Sequence, residues 1–154
     1  MKELKPKTKE AVLQIAEWQV GVMESPAGSN RVKYAEDYGL NGYAWCQMFV
    51  WWVFHEAGFN LKKTASCTEL VNSYKKAGQW VTKGFKPGDI AMFDFSGKKK
   101  ITEHTGIIVE VHADHIVTIE GNTGIGNDAN GGSVMKRTRK LNLVTGACRP
   151  GYNM

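Results

Sequence analysis

The sequence predicts an α+β domain, with about three N-terminal helices packed on a curled antiparallel sheet of about five strands. Three observations lead there. Apolar residues recur at helical spacing, without interruption by proline, in the stretches before residue 78. After residue 79 the chain breaks into short runs rich in Ile, Val, Thr and Phe. The links between those runs are short, so neighbouring strands are expected to pair antiparallel. The 154 residues are expected to form a single domain, helical over about 8–78 and sheet-forming over about 79–149.

The first helix is expected from Thr8 to about Met23. Val12, Ile15, Gln19 and Val22 share one stripe, and Pro6 stands just ahead of the start. Residues 25–30 read as a loop, and residues 31–38 are long enough for a short helix. The central stretch, residues 43–58, is apolar at almost every position from Met48 to Phe54 and is therefore expected to be buried on most sides, with Gly58 as a left-handed C-terminal cap. Ser66 and Glu69 form a capping-box pair opening a third helix, which ends at Gly78. Gln79, Trp80 and Val81 are strand-like, and Lys86, Pro87, Gly88 and Asp89 form a turn. Strands are then expected at residues 90–95, 105–111, 115–120, 134–139 and 143–148, with a long loop at 121–132.

Composition narrows the function. Hydrophobic content of 42% and charged content of 23% are ordinary for a globular protein. No apolar run approaches the roughly 18 residues of a membrane span, so membrane insertion is not expected. Basic residues near the start are followed by no apolar segment. The expectation is cytoplasmic synthesis without a signal peptide, with any extracellular action following release. The net charge of +5 suits an anionic polymer, either a bacterial envelope or a nucleic acid. The basic clusters at 98–100 and 136–140 are each read as solubilising surface, and no aromatic residues interleave them as a nucleic-acid site would require. The three cysteines, Cys46, Cys67 and Cys148, have no spacing of a disulfide frame or zinc site, and His112 with His115 lacks the partners to complete one.

Cys46 lies in the first turn of the central helix, where unpaired N–H groups and the helix dipole favour thiolate. His104 opens an apolar strand, and Glu120 and Asn122 end another, two residues apart and on one face if the strand continues. A cysteine at a helix start, a histidine on one strand and a polar orienting residue on the next make a nucleophile–base–orienter set. His55, His112 and His115 are rival bases, the last two flanking a turn. Cys67 lies beside a helix cap, but no histidine or carboxylate pattern accompanies it, so it is read as structural.

Trp45-Cys46 opening an aromatic helix, Lys86-Pro87-Gly88-Asp89-Ile90 leading a strand, His104-Thr105-Gly106-Ile107 and Glu120-Gly121-Asn122 together resemble the successive motifs of the CHAP family, the cysteine, histidine-dependent amidohydrolases and peptidases of the papain-like group. The likeness runs from about residue 30 to 149. It implies a papain-like fold and a peptidoglycan hydrolase of the phage endolysin type, cutting as an N-acetylmuramoyl-L-alanine amidase or an endopeptidase. Cys46 would be the nucleophile, His104 the base, Glu120 its orienter, and Asn122 would complete the set. The Cys46 N–H would hold the oxyanion with Tyr34 as a second donor, and Trp45 and Gln47 would contact substrate. The acidic calcium loop of some relatives is reduced here to Glu36 and Asp37, so no metal or cofactor is expected. The expected partner is bacterial peptidoglycan, met by a monomer. Targeting would come from a separate wall-binding domain or from the positive charge. The competing expectations are a non-catalytic wall-binding or phage-tail module, an antibacterial effector amidase and, on charge alone, a nucleic-acid binder.

Overall fold

The computed structural model describes residues 4–100, 102–128 and 130–152. Four helices pack on a six-stranded antiparallel sheet, consistent with the papain-like α+β arrangement. The first three residues of the stretch read for a leader lie outside the described residues. No described helix is long and apolar enough to cross a membrane.

Helix α1 (Lys9–Gln19) starts at Thr8, whose hydroxyl accepts from the Ala11 N–H, and it buries Ala11, Val12, Ile15, Ala16 and Gln19. It stops four residues before the expected end at Met23. Gly21 takes φ +98°, and its N–H donates to the Val134 carbonyl, while Val134 donates back to Val22 and Glu24 donates to Gly132. Pairing with the end of the sheet therefore replaces the last helical turn. Helix α2 (Lys33–Tyr38) ends on Gly39 in the left-handed conformation.

Helix α3 (Cys46–Glu56) is the centre of the core. Met48, Phe49, Val50, Val53 and Phe54 are fully buried. Burying each large apolar side chain contributes roughly 1.5–3 kcal/mol. Gly58 follows the helix at φ +89°, as the sequence predicted. Helix α4 (Cys67–Lys76) is capped by Ser66, which accepts from the Glu69 N–H. The other half of the expected box is different: the Glu69 carboxylate accepts from the Thr64 hydroxyl, and Thr64 in turn accepts the Ser66 N–H.

The strands are β1 (Trp80–Val81), β2 (Ile90–Phe93), β3 (His104–Val111), β4 (His115–Thr123), β5 (Ser133–Lys140) and β6 (Val144–Cys148), in the spatial order β1-β6-β2-β3-β4-β5. Sequential pairing holds from β2 to β5. It fails at β6, which returns across the sheet to lie between β1 and β2, with Trp80 and Ile90 both opposite Cys148. Strand β2 is buried on both faces. Ile90 and Met92 join the helix-side core, whereas Ala91 and Phe93 join Ile108, Ile116 and Val144 in a smaller core on the opposite face. The turn ahead of β2 has Gly88 at φ +93°, and Asp89 is held by a two-bond pair with Arg149.

The helical and sheet layers approach each other closely at Gly121. A Cβ there would lie 2.6 Å from Phe49 Cβ and 2.8 Å from Trp45 Cζ3. Gly121→Ala is therefore expected to lower stability by roughly 1–3 kcal/mol. Urea unfolding of the two proteins checks this, and equal midpoints would contradict such a tight contact.

Candidate active site

Cys46 is the first residue of α3. Its N-cap, Trp45, makes no side-chain capping bond. A second helix start lies close to it, since Cys67, the first residue of α4, interacts with the Cys46 sulfur. The two thiols are pushed in opposite directions. The neighbouring Cys67, opposed by burial and aided by His104 and the Gln47 backbone, holds Cys46 well below the ordinary thiol range. The same neighbour and burial push Cys67 well above it. Cys148, buried near Asp89, is pushed up to about 12. Of the three thiols, only Cys46 is partly exposed.

His104 opens β3 opposite Phe93 and is fully buried. Its Nε2 lies 2.9 Å from Glu120 Oε1 on β4. An ionised carboxylate can only accept, so Nε2 carries the proton. The other ring nitrogen, Nδ1, has no hydrogen-bond partner and is the one left to face Cys46, with which His104 interacts. Burial works against a charged imidazole. The nearby Cys46 sulfur and the Glu120 carboxylate outweigh it and raise the His104 pKa to about 9.

Glu120 is also completely buried, and both its oxygens are occupied. Arg139 on β5 donates Nη2 to Oε1 at 2.6 Å and Nε to Oε2 at 2.9 Å. The Thr118 hydroxyl donates to Oε2 at 2.5 Å. Burial alone would raise the Glu120 pKa, but the bonds from Arg139 and His104 hold it at about 2. Gly106 makes room for this carboxylate, since a Cβ at that position would sit 2.5 Å from Glu120 Cγ.

Asn122 is buried two residues beyond Glu120, with φ +57° at an irregularity in the β4–β5 pairing, and neither atom of its amide has a partner. The left-handed backbone coincides with the shift in register between Glu120 and Thr123. The Tyr34 hydroxyl donates to Gln19 Oε1 at 2.9 Å, and its ring lies between Trp45, Phe49 and Trp52. That hydroxyl is committed to the core instead of being presented to a substrate. Trp45 is fully buried and its indole N–H donates to Glu24, while Gln47 is 1% exposed with an unpartnered amide. Neither offers a substrate-facing surface, and the exposed aromatic of this segment is Tyr43. Of the rival histidines, His55 stacks on Trp51, and His112 and His115 stack on each other beside Glu110 and Asp114 at the surface.

The CHAP domain model matches residues 38–122. The chain belongs to the CHAP family. CHAP domains are typically amidases or peptidases acting on peptidoglycan, and the matched span holds Cys46, His104, Glu120 and Asn122. No curated protein and no solved structure matches this CHAP chain.

The Glu120 charge has a consequence for stability. The folded carboxyl has a pKa of about 2 against an ordinary 4.5, so folding favours the ionised form. That contribution is present above pH 4.5 and is lost as the pH falls toward 2. Between pH 6 and pH 3 the wild type is expected to lose about 2 kcal/mol that Glu120→Gln does not lose. Urea melts of both proteins at the two pH values measure the difference, and parallel losses would contradict it.

Proposed function

We propose that this CHAP domain is an endolysin-type hydrolase that cuts an amide bond of the bacterial wall peptide by cysteine nucleophilic catalysis, as an N-acetylmuramoyl-L-alanine amidase or an endopeptidase. One observation carries this reading: a thiol held low at a helix start faces a histidine whose far nitrogen is bonded to a buried, ionised carboxylate.

The Cys46 thiol proton passes to His104 Nδ1, giving a thiolate beside an imidazolium. The sulfur attacks the amide carbonyl carbon, and the carbonyl π electrons move to oxygen. The backbone N–H of Cys46, at the positive end of the α3 dipole, receives the oxyanion. The buried amide of Asn122 needs a partner and is suited to donate a second hydrogen bond there, the part once expected of Tyr34. The intermediate collapses as the C–N bond breaks, and His104 Nδ1 gives its proton to the departing amine. Water, deprotonated by the same nitrogen, then hydrolyses the thioester and frees Cys46. Throughout, Glu120 holds the Nε2 proton and stabilises the imidazolium. In this reading the enzyme reaches the wall after release from the cell that makes it, and its positive charge favours anionic wall polymers.

Purified peptidoglycan digested by wild type and by Cys46→Ala, with mass spectrometry of the fragments, tests this. The wild type is expected to release fragments with new amine ends, and the variant to be slower by at least about a thousandfold with its fold retained. Fragment masses separate lactyl-amide from peptide cleavage. Wall binding without fragments from any wall type would support a non-catalytic module instead.

A further inference from the structure

The catalytic set just described ends, by sequence motif, at residue 122, and the family match ends at the same residue. The hydrogen-bond chain does not. It continues from Glu120 into β5, where Arg139, only 4% exposed, makes a two-pronged contact with both carboxylate oxygens. The guanidinium is itself built in. Its plane lies over Phe95 at 4.9 Å and Phe93 at 5.6 Å, and the same two rings pack against His104 at 5.8 and 6.2 Å. Its remaining arm, Nη1, donates to Asp128 at 2.9 Å, and Asp128 is shared with Arg137.

We propose that Arg139 is a positioning residue of the hydrolytic reaction, fixing the Glu120 carboxylate in line with His104 through a planar two-bond fork. The inference rests on the hydrolase reading of the site. Three features of the geometry carry it. The fork fixes the plane of the carboxylate, so Oε1 is directed at Nε2, and a lysine could not impose that plane. The cation balances a charge with no access to water, which otherwise would favour a neutral acid. Finally, Arg139 touches Glu120, two phenylalanines, Asp128 and Thr123, and no reacting atom, so it acts through Glu120.

The charged and titratable groups around Glu120 are few. His104 faces it from β3 and Arg139 from β5, while Thr118 bonds it from its own strand. Behind His104 stand Cys46 on α3 and Cys67 on α4. Behind Arg139 stand Asp128 and Arg137, and Glu103 takes the Phe95 N–H beside the aromatic pair. Without Arg139, burial would favour protonation of Glu120 at a higher pH. A neutral Glu120 no longer supports the imidazolium, and the Cys46 thiolate fades with it.

The test uses two readouts on wild type, Arg139→Met and Arg139→Lys, each first shown to be folded by circular dichroism. One is the pH dependence of Cys46 alkylation by iodoacetamide, followed by peptide mapping, which needs no wall substrate. The other is the pH dependence of wall hydrolysis. In Arg139→Met the acid limb of both profiles is expected to move up by about one pH unit or more. Arg139→Lys is expected to recover part of that shift, since it restores the charge without the fork. Unmoved limbs in folded Arg139→Met would overturn the proposal and leave Arg139 a packing residue. A moved alkylation limb in a protein that cuts no wall would uphold the positioning role and remove the hydrolase reading. Should Arg139→Met not fold, Arg139→Gln, which fills the space and keeps one donor, carries the same expectation and the same contradicting result.

Discussion

Keeping Glu120 charged where no water reaches it is the constraint on which the site depends. An isolated carboxylate at zero exposure would simply take up a proton. Here four donors converge on two oxygens: the Arg139 fork, the Thr118 hydroxyl and His104 Nε2. That arrangement fixes the His104 tautomer, and the tautomer leaves Nδ1 toward the sulfur. The sheet registers follow the same need. Strand β3 supplies the histidine, β4 the carboxylate, β5 the counter-charge, and Gly106 the space for the Glu120 side chain. Breaking one member of such a buried set leaves a charge unpaired, which is far costlier than losing a surface ion pair.

The helical layer supplies the low-pKa thiol by a different physical route. Helix α3 is fastened by its apolar side chains, and its first turn is delivered to the end of the sheet. The same sulfur is then met by the start of α4. Three cysteines of equal intrinsic acidity are thereby separated. Cys67 and a neighbouring imidazole hold Cys46 low, Cys46 and burial hold Cys67 high, and burial beside Asp89 raises Cys148. Environment alone favours thiolate at one and thiol at the other two.

Much of this was legible in the sequence, for identifiable reasons. Apolar periodicity marked α3, and β-branched runs marked β2 to β6, because those patterns report burial directly. Cys46 and His104 stood out because each opens an element, and Glu120 because it is a carboxylate in a strand rich in β-branched residues. Other features depend on long-range geometry that no local pattern encodes. Nothing in the run 143–148 indicates that β6 crosses back beside β2. The end of α1 was misplaced because Gly21 leaves the helix to pair with Val134, more than a hundred residues away in sequence. Trp45 and Tyr34 looked like surface chemistry next to a nucleophile and are core side chains satisfied by Glu24 and Gln19. The basic run 136–140 looked like solubilising surface. Its alternation on a strand turns Arg137 and Arg139 inward and Lys136 and Lys140 outward, and Arg139 reaches Glu120. Cys67 carries no histidine or carboxylate pattern, and its nearness to Cys46, 21 positions earlier, comes from the packing of two helix starts.

A thiolate–imidazolium pair of Cys46 and His104, held by Glu120, has a spectroscopic signature in the nitrogen-15 chemical shifts of the His104 ring, measured in wild type and in Cys46→Ala across pH 5 to 10. Both ring nitrogens are expected to be protonated at neutral pH in the wild type, with deprotonation near pH 9, and a clear downward move of that midpoint once the sulfur is removed. A neutral His104 ring at pH 7, or a midpoint indifferent to Cys46→Ala, would contradict it.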